Sequence, residues 1–348
     1  MGETESTSGA GEAPAAAQLR EALFWQKLEA GRVQCQLCPH QCRLHQGQQG
    51  LCRVRQNVDG TLRSLNYGRV SSVNLDPIEK KPLFHFYPGS TILSLGTVGC
   101  NLACAFCQNW EISQRDPGTR RMTPQQAAEM ARSEKGNLGI SYTYNEPFIW
   151  YEFVLETAKL VREAGLKNVL VTNGYVNEEP LRQMLPYIDA MNVDIKSMRD
   201  EFYRDLCRGQ AEPPRRTVEI AKQAGCLVEV TNLVIPSWND GEGEIRSLVD
   251  WVASVDVDMP LHFSRYHPDY EMAEPPTPAE TLLRARRIAA EKLHYVYVGN
   301  LWRGEGENTV CPQCGKTVVE RRGFSVLRME VKEGRCRFCE GRVAIVGV

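Results

Sequence analysis

Residues 91–110 read TILSLGTVGCNLACAFCQNW. The first seven are an apolar, strand-like run, and a loop carrying Cys100, Cys104 and Cys107 follows at once. The same texture then recurs along the chain. LGISYTY, NVLVTNG, AMNVDIK, CLVEVTNLVIP, PLHFSRYHP and HYVYVGN are strand-like, and helical stretches such as TPQQAAEMARSEKG, EPFIWYEFVLETAKLVREAG and TPAETLLRARRIAAEK separate them. Strands alternating with helices predict a parallel sheet of right-handed βαβ units. Six or seven such strands suit an α/β fold, a partial or full TIM-like (β/α) barrel, better than a short open sheet. In this architecture the site lies at the C-terminal strand ends, where the three-cysteine loop falls.

Around this core, residues 19–30 (LREALFWQKLEA) have helical periodicity ending at Gly31. They lead into a four-cysteine module, so that residues 19–69 are expected to form one unit. Residues 70–90, with prolines at 77, 82 and 88, are expected to be an extended connector, residues 91–304 the barrel and residues 305–348 a small β-like module. The first eighteen residues are small, polar and acidic, with neither an apolar h-region nor arginine, and are expected to be a disordered tail. The net charge of −2 gives no bulk attraction to nucleic acid or anionic membranes, and no apolar run reaches bilayer length. A soluble, cytoplasmic protein is the expectation.

In a reducing compartment, thirteen cysteines point to metal. Cys311, Cys314, Cys336 and Cys339 form two Cys-x2-Cys knuckles with zinc-ribbon spacing, so structural Zn²⁺ is expected there. Cys35, Cys38, Cys42 and Cys52 suit either zinc or an auxiliary [4Fe–4S] cluster, since thiolates serve both metals. His40 and His45 are read as surface residues, and Cys207 and Cys226 as buried apolar thiols. The set of three at 100–107 admits inert thiols, zinc completed by a distant ligand, or a [4Fe–4S] cube whose fourth iron is open.

Other strand ends carry polar groups. YTYNEP places Asn145 and Glu146 after the second strand, and VTNG places Thr172 and Asn173 after the third. NVDIK puts Asp194 and Lys196 two apart, hence on one face, as site groups or as an inward salt bridge. SRYHP places His267 near the mouth.

Cys-x3-Cys-x2-Cys with Phe106 before the last cysteine resembles the signature of the radical S-adenosylmethionine (SAM) superfamily. That resemblance implies that the open iron chelates SAM and that one electron cleaves it to a 5′-deoxyadenosyl radical. It further implies that Phe106 lies near the adenine, that Glu146 takes the SAM ammonium with Asn145 assisting, and that Asp194 and Lys196 serve the ribose and carboxylate. Val234 and Ile235 would be an apolar wall. The superfamily usually carries glycines where this chain has Tyr144 and Asn145. Glycyl-radical activases, which the strand ends also resemble, commonly place Asp where this chain has Val171. CQLCPHQCRLHQGQQGLCRVR, DPIEKKPLFHFYPGS and HFSRYHPDYEM, with further stretches over almost the whole chain, resemble the AmmeMemoRadiSam system radical SAM enzymes. The resemblance implies an electron donor such as a flavodoxin or ferredoxin, and AMMECR- and Memo-type proteins as partners. A radical SAM enzyme of unidentified substrate is thus the leading reading. An activase making a glycyl radical on a partner protein and a non-catalytic metal-bound scaffold are the alternatives.

Overall fold

The computed structural model describes residues 19–301 and 306–348. The tail expected over residues 1–18 and the boundary expected at 304/305 lie outside the described residues.

One sheet of eight strands dominates: β1 (Ser72–Pro77), β2 (Thr91–Gly96), β3 (Asn137–Tyr142), β4 (Lys167–Thr172), β5 (Ala190–Asp194), β6 (Leu227–Val234), β7 (Leu261–Arg265) and β8 (Val296–Gly299). Their spatial order is the chain order. β2 to β8 run parallel, while β1 pairs antiparallel with β2, from Ser72 opposite Gly96 to Pro77 opposite Thr91. β1 and β8 are the two ends of the sheet, so among the described residues the barrel is open. The strands are legible as near-continuous apolar runs because both faces are covered. Gly139 in β3 permits a close approach, since a Cβ there would lie 1.8 Å from the Lys167 carbonyl oxygen of β4.

Six helices cross between successive parallel strands: α1 (Pro124–Ser133), α2 (Tyr151–Glu163), α3 (Glu178–Met184), α4 (Glu212–Gln223), α5 (Glu242–Val255) and α6 (Ala279–Ala289). α1 opens on a capping box between Thr123 and Gln126, with Pro124 at its first position. α2 buries Phe153, Val154, Ala158 and Val161 along one stripe against the sheet.

Two expectations are corrected. Residues 19–30 contain no helix of the expected kind. Arg20–Glu21 and Trp25–Lys27 are short strands pairing with Ser64–Arg63 and Cys35–Val33, and Phe24 and Ala30 adopt left-handed backbone. A twelve-residue helix is marginal alone, and pairing with the cysteine-bearing strands outweighs its propensity. The segment from residue 70 is also more than a connector, because its first half is β1. Its prolines fall at and after the strand end, where they cost no ladder bond.

The remainder of that segment is built into the core. Ile78, Leu83 and Phe86 cluster with Ile92, Val169 and Ala190. Glu229 of β6, fully buried, accepts the backbone N–H groups of Phe84 (3.0 Å) and His85 (2.7 Å), and His262 Nε2 of β7 lies 2.6 Å from it. The C-terminal module docks on the same segment. Buried Arg321 donates to the Phe84 carbonyl at 2.7 Å and faces Glu79 at 3.5 Å, and His85 bridges the Ala344 carbonyl and the Tyr297 hydroxyl.

Candidate active site

The loop after β2 is held by backbone atoms of distant segments. Ala103 N–H donates to the Cys207 carbonyl and Ala105 N–H to the Leu206 carbonyl, both at 2.9 Å. The Ala105 carbonyl in turn accepts Glu271 N–H at 2.9 Å. Asn173 Nδ2, at the end of β4, lies 3.6 Å from Cys100 Sγ and 3.0 Å from Asn101 Oδ1. The loop's start needs glycine: Gly99 has φ +87°, and a Cβ there would lie 2.6 Å from the Cys52 carbonyl oxygen.

A cavity of about 720 Å³ opens beside this loop. Cys100, Cys104, Cys107 and Phe106 line it, with Asn145, Glu146, Thr172, Asn173, Asp194 and Lys196 from the successive strand ends. Val171 lines it too, whereas Val234 and Ile235 are buried outside its wall. His267 is exposed and does not line it. The strand ends at Arg265, and the chain then turns so that Asp269 meets Trp110 and Glu271 meets the three-cysteine loop, while His267 does not. The histidine that faces the cavity is His262, inside the barrel.

Glu146 is buried, and burial pushes its carboxyl up to about 7. Its oxygens already accept from Phe148 N–H, Thr172 Oγ1 and Asn173 N–H at 2.8–2.9 Å. One lone pair stays available, so the group knots the β3 and β4 ends together and can take one further donor. Asn145 donates one N–H to the Gly99 carbonyl at 2.7 Å and accepts Thr97 N–H at 3.2 Å, which leaves one donor and one lone pair free. Tyr144 has φ +72°, the left-handed backbone that glycine adopts readily. Its hydroxyl donates to Asp76 at 2.5 Å and Lys81 sits 4.7 Å over its ring, which offsets the strain. The turn therefore has glycine-like backbone without glycine.

Lys196 Nζ lies 3.2 Å from Asp194 Oδ2 and 5.7 Å from the Phe106 ring centre. Burial alone would lower its pKa, but Asp194, then Cys104 and Cys207, hold it well above the ordinary lysine value. The pair is thus both a salt bridge and a charged cavity wall. Cys207, expected to be a buried apolar thiol, is buried in the same cluster as Cys104. Its nearness lowers the Cys104 pKa, whereas burial raises those of Cys100 and Cys107.

Two further sets of thiols stand outside the cavity. Cys311 and Cys339 Sγ are 3.7 Å apart, and Cys314 and Cys336 Sγ 3.8 Å. Among the described residues these four are the one group of three or more cysteine, histidine or acidic ligand atoms all lying within 4.8 Å of one another. The thiols at 100–107, and any three of those at 35–52, are therefore spread more widely. His40 is not a free surface group, because its Nε2 donates to the Asn101 carbonyl at 2.7 Å.

A barrel of parallel strands whose first C-terminal loop presents three thiols to a polar cavity defines the class, and residues 94–249 match the family model of the radical SAM superfamily. The chain belongs to that superfamily. The uncharacterized protein MJ0808 of Methanocaldococcus jannaschii is 46% identical over 94% of this chain and 100% of its own length. The pyruvate formate-lyase-activating enzyme of Clostridium pasteurianum is 20% identical over 45% of this chain and 67% of its own. Solved structures include Streptococcus suis SuiB bound to S-adenosylmethionine (TM-score 0.49, 13% identity, 61% of this chain and 51% of that one). Methylornithine synthase (PylB) has TM-score 0.45 and 17% identity over 75% of this chain and 77% of its own. Among the described residues no helix is long and apolar enough to cross a membrane.

Proposed function

We propose that Cys100, Cys104 and Cys107 hold a [4Fe–4S] cluster with one iron open, and that the protein cleaves SAM reductively to abstract hydrogen from a substrate. One observation carries this reading. The three thiols are too widely spread for a single ion, yet share one cavity with the polar ends of β3, β4 and β5. A cluster held by Cys100, Cys104 and Cys107 would supply the one electron needed for reductive cleavage of the SAM sulfonium C–S bond, to methionine and a 5′-deoxyadenosyl radical. The chain's own residues seat the cofactor. Lys196 offers a fixed positive charge to a carboxylate, Asp194 accepts from hydroxyls, the spare Glu146 lone pair accepts from an ammonium, and Phe106 walls the cavity beside Lys196. Cys207 is buried with Cys104 in one apolar cluster and so helps keep water from that sulfur.

The 720 Å³ cavity extends past these groups to His262, Ser264 and Asn300, and to Gly323 and Phe324 of the C-terminal module. We assign that far half to the substrate. We also assign zinc to Cys311, Cys314, Cys336 and Cys339, because Zn–S bonds of about 2.3 Å in a tetrahedron place sulfurs about 3.8 Å apart. A second reading, an activase that makes a glycyl radical on a partner protein, draws on the activating enzymes among the relatives.

The test is anaerobic reconstitution with iron and sulfide, reduction with dithionite, and assay of 5′-deoxyadenosine. The parent forms it and Cys104→Ala does not. Formation by Cys104→Ala at the parent's rate would refute the proposal.

A further inference from the structure

The N-terminal cysteines form a site of their own. Cys35, Cys38 and Cys52 are buried and Cys42 nearly so, and the four line a small enclosed cavity of about 10 Å³ together with Leu37 and Arg55. The module's backbone is paired across the site, with Cys35 N–H donating to the Cys42 carbonyl at 2.9 Å and Gly50 N–H to the Arg55 carbonyl at 2.8 Å.

The size of the hollow separates the two metals that the spacing leaves open. A single zinc ion draws four sulfurs to about 3.8 Å from one another and leaves no room between them. The C-terminal set has that geometry, at 3.7 and 3.8 Å. At the N-terminal set no three sulfurs lie within 4.8 Å of one another, and the space they enclose is about that of one water molecule. The sulfurs are thus spread more widely than a single zinc ion would hold them. Those bonded to the corners of a [4Fe–4S] cube stand about 6 Å apart. The spread of the thiols is wider than one zinc ion sets and leaves the cube as the group that four thiolates can share there.

Its position gives the cube a task. Cys38 belongs to the same apolar cluster as Cys104 and Phe106. His40, two residues after Cys38, donates to the carbonyl of Asn101, the neighbour of Cys100. On the other side Gly99 is pressed against the Cys52 carbonyl. One short covalent and hydrogen-bonded path, through His40 and Asn101, and one close backbone approach, of Gly99 to Cys52, therefore join the two cysteine sets.

We propose that Cys35, Cys38, Cys42 and Cys52 hold a second [4Fe–4S] cluster, which passes single electrons from a low-potential one-electron donor protein to the cluster at Cys100, Cys104 and Cys107. Each transfer oxidises the donor by one electron and reduces the inner cluster by one. No atom moves, and the relay cluster returns to its starting state. The relay rests on the function proposed above, but the occupancy of the site does not.

The test uses full-length protein reconstituted anaerobically with iron, sulfide and zinc. The parent should carry about eight irons and one zinc per chain. A variant with Cys100→Ala, Cys104→Ala and Cys107→Ala leaves the N-terminal module untouched. It should keep about four irons and show the electron paramagnetic resonance of a reduced cluster after dithionite. A parent with about four irons and two zincs, or a triple variant without iron, overturns the site. Cys38→Ser together with Cys52→Ser should fall to about four irons. It should still cleave SAM with dithionite but lose at least tenfold in rate with reduced flavodoxin. An unchanged flavodoxin-driven rate overturns the relay. If the parent cleaves no SAM, the proposed reaction fails, and the iron and zinc counts still decide the site.

Discussion

Replacing Glu229 tests whether one buried carboxylate pins the 82–86 segment into the barrel. Glu229 has no exposed surface and receives the Phe84 N–H, the His85 N–H and His262 Nε2 at 2.6–3.0 Å. Burial alone would raise its pKa, but the His262 bond and the nearby imidazoles leave it below the ordinary carboxylate value. Glu229→Leu keeps the bulk and removes every acceptor. Each buried donor left unpaired costs about 1–3 kcal/mol, so three of them cost about 3–9 kcal/mol. In a chain of this size that lowers the midpoint of thermal unfolding by about 4–12 °C. Glu229→Gln keeps one oxygen and turns an N–H₂ group toward a donor, so its loss should be about half as large. The assay is anaerobic thermal unfolding, with proteolysis at residues 78–90 as a local probe. The exposed Glu291→Ala is the control and should shift the midpoint by under about 1 °C. A Glu229→Leu midpoint within 2 °C of the parent's (about 1 kcal/mol) would show that the segment is held by packing alone.

Three other outcomes follow from the buried groups. Arg321→Met strands Glu79 and the Phe84 carbonyl, and should cost about 3–5 kcal/mol and expose the C-terminal module to protease; equal protease resistance would refute it. Burial lowers the His85 pKa to about 4 from 6.5, so the unfolded chain takes up a proton that the folded one refuses. Stability should therefore fall by about 3 kcal/mol as pH drops from 6.5 to 4, less so in His85→Leu, as followed by denaturant unfolding against pH. Cys314→Ala should lose about one zinc per chain by elemental analysis and retain the iron–sulfur absorption; retention of zinc would remove the ribbon assignment.

The seven parallel strands were legible because each is covered on both faces and prints an unbroken apolar run. β1 was not, since it is half covered and bounded by proline, and its partner is set by tertiary pairing. The strands at residues 20–27 were hidden for the same reason. In the site, Asp194 and Lys196 could be placed together by the two-residue period of a strand. His267 lies past the end of β7, where that period no longer says which way a side chain points, and His262 reaches the cavity instead. Cys207 meets Cys104 across about a hundred residues of chain, a contact no local pattern records. The hollow at Cys35–Cys52 is likewise a matter of distance, and spacing in sequence is silent on it.

The three-cysteine loop takes its shape from the carbonyls of Leu206 and Cys207, not from the side chains that stand there. Another apolar residue at 206 could offer the same oxygen and keep the packing, so conservative changes at that buried position should be tolerated as long as the turn keeps its length. Inserting or deleting one residue between β5 and α4 would slide both oxygens out of register with Ala103 and Ala105. Length in that crossover, more than identity, is what the loop requires.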